Sequence, residues 1–192
     1  MTNTLIEGLQ ERITNAVNMS TTVGVVLPSN NYDDMVESIF NFISQKPENA
    51  WIYVTITNPF DSLKQKFESV VNNPSITCID CVSRAAGIQS TDSRCLYLDS
   101  PAELEKLILE VVSKVRNNEG QQTFVIIDSL SSLVLYNDVC LISEFFTHLI
   151  NNIRINEVKT ITLCIEEEMT DLLNKVLYLR NDKIIKVRES FI

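Results

Sequence analysis

The sequence TFVIIDSLSSLVLY, residues 123–136, contains the clearest strand signal of the chain. It begins with a continuous apolar run, Phe124 to Ile127, that ends at Asp128. An uninterrupted apolar run of this length is typical of a central parallel strand, because helices cover such a strand on both faces. Parallel strands need long crossover connections, which are usually helices. We therefore expect strands and helices to alternate on both sides of this segment.

The flanking sequence supplies that alternation. A leading helix is predicted over 1–19, since its apolar residues follow helical spacing. Apolar and β-branched runs predict the other strands at 22–27, 51–57, 76–80, 95–98, 160–165 and 183–187. Helical spacing and capping signals predict helices at 32–45 and 59–71, from Pro101 to Gly120, after Asn137 and through 172–179, with Asn58 and Asn137 as helix N-caps. The prediction is one α/β domain, 1–192, with three α/β/α layers and a mainly parallel central sheet.

The joint between the first strand and its helix has the layout of a phosphate-binding loop. A working Walker A loop needs glycines for its turns, a lysine for the β/γ-phosphates and a Ser or Thr for Mg²⁺. The chain has only four glycines. Its loop offers neither glycine nor lysine, and two acids, Asp33 and Asp34, follow the loop at the helix start. The loop residues are Pro28, Ser29, Asn30, Asn31 and Tyr32.

Composition limits the classes of partner. The net charge is −9 with no cluster of Lys or Arg, which disfavours nucleic-acid binding. The five cysteines are an odd number, mostly in apolar runs, and therefore favour free thiols in a reducing cytoplasm. The first twenty residues lack the pattern of a targeting segment, and no apolar run reaches the length of a membrane span. We expect a cytoplasmic protein that contacts neither nucleic acid nor membrane.

Two smaller patterns are weak candidates for a metal, redox or catalytic site. Cys78 and Cys81 have the spacing of half a zinc site or a redox pair, but the sequence has no second CxxC or CxxH to complete four ligands. His148 is the single histidine and has no Ser or Cys at a telling spacing. Neither pattern predicts a catalytic centre, and buried thiols and an ordinary helix residue are the favoured interpretations.

Segment 123–136 resembles the Walker B strand and the following loop of RecA-like ATPases, particularly the KaiC branch found widely in archaea. In that family an apolar strand ends in Asp and continues into a Ser-Leu-Ser-rich loop. The order of elements over most of 20–188 is also similar to that family. The resemblance implies a RecA-like, P-loop NTPase-like fold, with a nucleotide site at Ser29, Thr57, Asn58, Asp128 and Ser129 together with the loop around them.

The departures from the family pattern are as informative as the resemblance. KaiC-type proteins usually carry acids after the second strand that activate the attacking water, whereas this chain has Thr57 and Asn58 there. Asn58 cannot accept a proton from water. Of the three catalytic elements only Asp128 remains, so the resemblance is to a degenerate domain with a vestigial nucleotide site and without enzyme activity.

Asp128 has two interpretations. As a carboxylate at the end of a buried strand, it can cap the following loop through Ser129 or Ser131. Alternatively, RecA-like strand order would bring Asp33, Asp128 and Glu166 together as oxygen ligands for Mg²⁺ or Ca²⁺. Glu166 also belongs to a run of three glutamates that we interpret as acids at a helix N-terminus.

Two functional hypotheses follow. The first is a catalytically inactive domain that acts by protein association, as a regulator or scaffold, with a second copy, an active homologue or another protein as partner. It requires no cofactor. The second is a nucleotide-binding switch or weak ATPase that uses an atypical loop, with ATP and Mg²⁺ as ligands. Nucleotide binding distinguishes the two.

Overall fold

The structure is a computed structural model that describes residues 2–188, with side chains from Leu5 onward. Seven strands form one sheet in the order β4-β3-β2-β5-β6-β1-β7, and every pairing between the described strands is parallel. The strands are β1 (Thr22–Leu27), β2 (Ala50–Thr55), β3 (Ile76–Asp80), β4 (Cys95–Tyr97), β5 (Thr123–Asp128), β6 (Lys159–Ile165) and β7 (Lys183–Lys186). β5 lies at the centre of this order, as its apolar run predicts.

Seven α-helices cover the two faces of the sheet within the described part of the chain. They are α1 (Thr2–Met19), α2 (Tyr32–Ser44), α3 (Phe60–Lys66), α4 (Glu68–Val71), α5 (Leu104–Asn117), α6 (Val139–Ile155) and α7 (Asp171–Arg180). One core layer packs the first four helices on the sheet, and a second layer packs α5, α6 and α7 on the opposite face. This arrangement confirms the predicted α/β/α layering with a parallel sheet.

The strand sequences explain the burial. Strands β1, β2 and β5 are buried along their whole length, because helices cover both faces of the sheet there. Trp51 and Phe124, on neighbouring strands, stack with ring centroids 4.4 Å apart, and Phe42 of α2 meets both rings edge-on. This aromatic cluster fixes α2 over the centre of the sheet and so positions the first residue of that helix, Tyr32.

The segment after β2 differs from its prediction. The strand ends at Thr55 rather than at 57, because the N–H groups of Ile56 and Thr57 both donate to the carbonyl of Asp128 and the chain turns there. The predicted 59–71 helix breaks at Phe67 into α3 and α4.

Two predicted helix caps are also wrong. Asn58 does not cap α3; instead the carboxylate of Asp80 accepts from the Phe60 N–H at 2.7 Å. Asp138, not Asn137, caps α6 and accepts from the Cys140 N–H at 2.7 Å. In both places a carboxylate supplies the cap, since an ionised acceptor binds the free N–H groups of a helix start more strongly than an amide. Among residues 2–188, no helix combines the length and the apolar character that crossing a membrane requires.

Candidate functional site

The carboxyl ends of β2, β5, β6 and β1 lie next to one another and form the candidate site. Ligands of open parallel sheets bind outside this edge. Four loops meet there. They begin after Leu27, Thr55, Asp128 and Ile165.

Asp128 is the centre of the site, and the hydroxyl groups of two tyrosines contact its carboxylate. The side chain is fully buried. The Tyr32 hydroxyl lies 2.8 Å from both carboxylate oxygens, and the Tyr53 hydroxyl donates to Oδ2 at 2.5 Å. Asn58 Nδ2 in turn donates to the Tyr32 hydroxyl at 3.0 Å. Within the described residues Asp128 forms no salt bridge, so neutral hydroxyl groups alone stabilise its charge.

The electrostatics of this group follow from burial. Burial raises the pKa of Asp128 to about 6, while the hydrogen bonds from Tyr53 and Tyr32 oppose that rise. Burial and the neighbouring carboxylate raise the pKa of Tyr32 and of Tyr53 well above the ordinary value. At neutral pH both phenols therefore remain protonated donors and Asp128 is ionised. A cation could reach the carboxylate oxygens only by displacing these hydroxyl groups.

The serine-rich loop after β5 forms a second network. Ser131 and Ser132, both buried, donate to the Glu168 carboxylate at 2.8 and 2.9 Å. Ser129 Oγ lies 2.8 Å from Ser132 Oγ, and the Ser129 N–H donates to Thr57 Oγ1 at 3.2 Å. These bonds tie the ends of β5, β2 and β6 together. The prediction that the Asp128 carboxylate caps this loop through Ser129 or Ser131 is wrong, because the Glu168 carboxylate accepts from the loop serines and the tyrosine hydroxyls occupy Asp128.

The N–H groups of the loop after β1 are hydrogen-bonded to acceptors of the chain itself. Ser29–Asn31 form one turn of 3₁₀ helix, in which the Asn31 N–H donates to the Pro28 carbonyl at 3.0 Å. The Ser29 N–H and hydroxyl both donate to the Glu167 carboxylate, at 3.0 and 2.8 Å. These bonds lower the pKa of Glu167. A carboxylate of the chain itself thus occupies loop donors that a phosphate would use in a working loop.

Several expectations for the acids need correction. Asp33 does not approach Asp128: its side chain is 81% exposed and pairs with Lys66 at 3.3 Å. Glu166 is exposed, and residues 2–188 contain no group of three His, Cys, Asp or Glu that could hold a metal ion. The grouping of Asp33, Asp128 and Glu166 is therefore not formed. The glutamate run ends two residues before α7, and its last two members, Glu167 and Glu168, bind serines, so the predicted position in the first turn of a helix that follows the run is wrong.

The structure thus divides the predicted site residues into two sets. Tyr32, Asn58 and Asp128 share one network, and Thr57 and Ser129 share the adjacent one. The loop residues are spread over the surface and core: Pro28 and Asn31 are buried, whereas Ser29 and Asn30 are exposed.

Sequence reasoning missed Tyr53, Glu167 and Glu168. Tyr53 is a polar-tipped residue in a strand that is buried along its whole length. A buried tyrosine usually has a hydrogen-bond partner for its hydroxyl, so a tyrosine in a buried strand next to β5 was the available signal for a polar contact at this site.

The cysteine pair is structural. Cys78 and Cys81 are free and buried, and they pack into opposite core layers. Burial raises the pKa of Cys78 to about 12 and also raises the pKa of Cys81 well above the ordinary value. Thiols of this kind are protonated at neutral pH and separated by the sheet, so they share neither a metal nor a redox partner in this arrangement.

Comparison with known proteins identifies the fold. No protein-family model matches the sequence, and no curated protein matches it significantly. The structure is similar to that of the uncharacterized protein PH0321 of Pyrococcus horikoshii, which was solved in complex with an unknown peptide. The TM-score is 0.69 at 14% identity, over 88% of this chain and 78% of that one.

The structure is also similar to the KaiC-like protein PH0186 of the same archaeon, Pyrococcus horikoshii OT3. Here the TM-score is 0.63 at 17% identity, over 90% of this chain and 75% of that one. Likeness at such low identity concerns the fold. The fold is RecA-like, with helices on both faces of a parallel sheet, which confirms the predicted fold class.

Proposed function

We propose that this chain is a catalytically inactive RecA/KaiC-like domain with a degenerate Walker A loop, and that it acts through protein association in a regulatory or scaffolding role. The observation that carries the proposal is the contact of Tyr32 with Asp128. The hydroxyl lies 2.8 Å from both oxygens of the carboxylate that would face a metal–nucleotide complex. The candidate site is closed by its own side chains.

The charges around the site support inactivity. Phosphoryl transfer depends almost wholly on positioning and on neutralising the charge of the transferred group. Here the loop amide of Ser29 binds Glu167, and the first turn of α2 carries Asp33 and Asp34. The one described cation that pairs with these acids is Lys66, on the exposed side of Asp33. A triphosphate would meet carboxylates where a working site offers a lysine and free N–H groups.

The surface supports association. Several large apolar side chains in or beside the second layer are exposed, and one of them, Leu141, shares a groove with Leu104 and Ile108. Contiguous apolar surface of this kind marks interaction sites. The most exposed are Leu109 (70%), Leu135 (70%), Leu141 (53%), Ile155 (82%) and Leu179 (75%). The similar protein PH0321 was solved with a bound peptide. We extend that kind of association to this chain, in a cytoplasmic setting consistent with its free cysteines.

Phosphate release tests inactivity directly. Wild-type protein and Asp128→Asn are incubated with ATP and Mg²⁺ after removal of contaminating ATPases, and inorganic phosphate is measured over hours. We expect the same background rate from both proteins. A wild-type rate above background that the Asp128→Asn substitution abolishes would show that the domain is an enzyme.

A further inference from the structure

A groove lies between α5 and α6, outside the candidate site. It has a volume of about 610 Å³. Its α6 wall consists of Leu141, Glu144, Phe145 and His148, the i, i+3, i+4 and i+7 positions of one helix face. Its α5 wall includes Ile108. Two parallel walls of this kind leave a channel that can receive a third helix.

The floor of the groove consists of the apolar wall residues Leu104, Ile108, Leu141 and Phe145, and most of them are accessible. Leu141 is 53% exposed, although it lies on a helix whose other apolar residues are mostly buried. Leu104 and Ile108 are half-buried and line the facing wall. In helix-in-groove recognition, the apolar face of a bound amphipathic helix packs on apolar groove residues of this kind.

The rim of the groove is acidic. Three carboxylates line it, those of Glu103, Glu105 and Glu144, against one ammonium group, that of Lys106. Lys106 is already paired with Glu103 at 3.3 Å and with Asp99 at 3.6 Å. Glu105 and Glu144 form no salt bridge with any described residue. The rim therefore presents unpaired negative charge around an apolar floor.

We propose that this groove binds a basic amphipathic segment of another protein, with an apolar stripe on the floor and Lys or Arg side chains against Glu105 and Glu144. This inference rests on the association role proposed above and specifies its surface and its partner. The charge of the rim favours a basic partner over a second copy of the chain. A second copy carries a net charge of −9, so the acidic rim would repel it. A basic segment gains attraction instead.

Peptide binding tests the proposal. The probe is a fluorescein-labelled amphipathic helical peptide of Leu and Lys, and the control is the same peptide with Glu in place of Lys. Fluorescence anisotropy is measured for wild type, Leu141→Asp and Glu144→Lys. The matched controls are Met19→Asp and Glu11→Lys, both at exposed positions of α1 outside the groove. Circular dichroism confirms that each variant is folded.

We expect the basic peptide alone to bind, at least tenfold more weakly to Leu141→Asp and at least threefold more weakly to Glu144→Lys. Binding to the two control variants should equal that of wild type, and salt should weaken it. The proposal is overturned if both peptides bind equally, if the groove variants bind as tightly as the control variants, or if no binding is seen at millimolar peptide. A concentration-dependent dimer that Leu141→Asp dissociates would also overturn it, by identifying a second copy as the occupant. None of these outcomes depends on ATP hydrolysis, so the failure of this inference is distinguishable from failure of the inactivity proposed above.

Discussion

Replacing Tyr32 by Phe removes one hydroxyl and leaves the ring that begins α2. In the wild type that hydroxyl donates to the fully buried carboxylate of Asp128 and accepts from Asn58 at 3.0 Å. Hydrogen bonds to charged groups contribute about 1.5–3 kcal/mol to stability. We expect Tyr32→Phe to lower the free energy of unfolding by that amount. For a chain of this length, this is a fall in melting temperature of roughly 3–12 °C.

The assay is urea unfolding at pH 7.5 and at pH 5. The control is Tyr178→Phe, an exposed tyrosine whose hydroxyl has no hydrogen-bond partner among the described residues, for which we expect a change within about 0.5 kcal/mol. The loss in Tyr32→Phe should shrink at pH 5, because Asp128, with its pKa near 6, is then largely protonated and the bond to a charged acceptor is gone. The double-mutant cycle with Asp128→Asn should give a coupling free energy of about 1–3 kcal/mol.

The reasoning is refuted if Tyr32→Phe behaves like Tyr178→Phe, or if its loss is the same at both pH values and shows no coupling to position 128. We also expect Tyr32→Phe to gain no affinity for ATP. The Ser29 amide remains bound to Glu167, and the loop still lacks a lysine.

Three further predictions concern stability. Burial in the folded state raises the pKa of Asp128 to about 6, so its protonation favours the folded state. Relative to Asp128→Asn, the wild type should gain roughly 2 kcal/mol as pH falls from 7 to 4, with the change between the unfolded and folded pKa values. A flat difference across pH 4–7 in urea unfolding would contradict this. Asp80→Ala should lower the free energy of unfolding by at least about 3 kcal/mol, since the buried carboxylate accepts from the N–H groups of Phe60, Val82 and Ser83. Asp99→Ala, at an exposed carboxylate, should lower it by less than about 1 kcal/mol in the same assay. Gly24→Ala should destabilise the fold by about 1–3 kcal/mol, because the new Cβ would lie 2.7 Å from the Ile184 side chain. Gly8→Ala has open space around it in α1 and should be neutral or stabilising by up to about 1 kcal/mol. Equal melting temperatures for the two variants would count against the packing of β7 on β1.

The fold was largely predictable because its signals are local. The apolar run before Asp128 predicts a central strand, and the alternation of strands and helices predicts parallel layering without knowledge of any contact. Element ends were less predictable where distant residues decide them. Asp80 caps α3 across the sheet, and no spacing near Asn58 shows this.

The candidate site was predictable in place but not in chemistry. The position of Asp128 after β5 and the loss of glycines and lysine after β1 are visible in the sequence. Which acid binds the loop after β1 depends on the tertiary fold. Glu167, which binds Ser29, lies 138 residues away in the sequence, whereas the side chain of Asp33, four residues from Ser29, is exposed to solvent. Tyr53 lies 75 residues from Asp128 and meets it only because β2 and β5 are neighbours in register.

Nucleotide binding measured by thermal shift tests the central claim most directly, which is that the chain's own side chains close the site. A ligand that binds the folded state at 100 times its Kd stabilises it by about 2.7 kcal/mol. For this chain length that amounts to roughly 5–11 °C in melting temperature. We predict no shift with millimolar ATP, ADP or GTP, with or without Mg²⁺. A Mg²⁺-dependent shift of several degrees that Asp128→Asn removes would contradict the account.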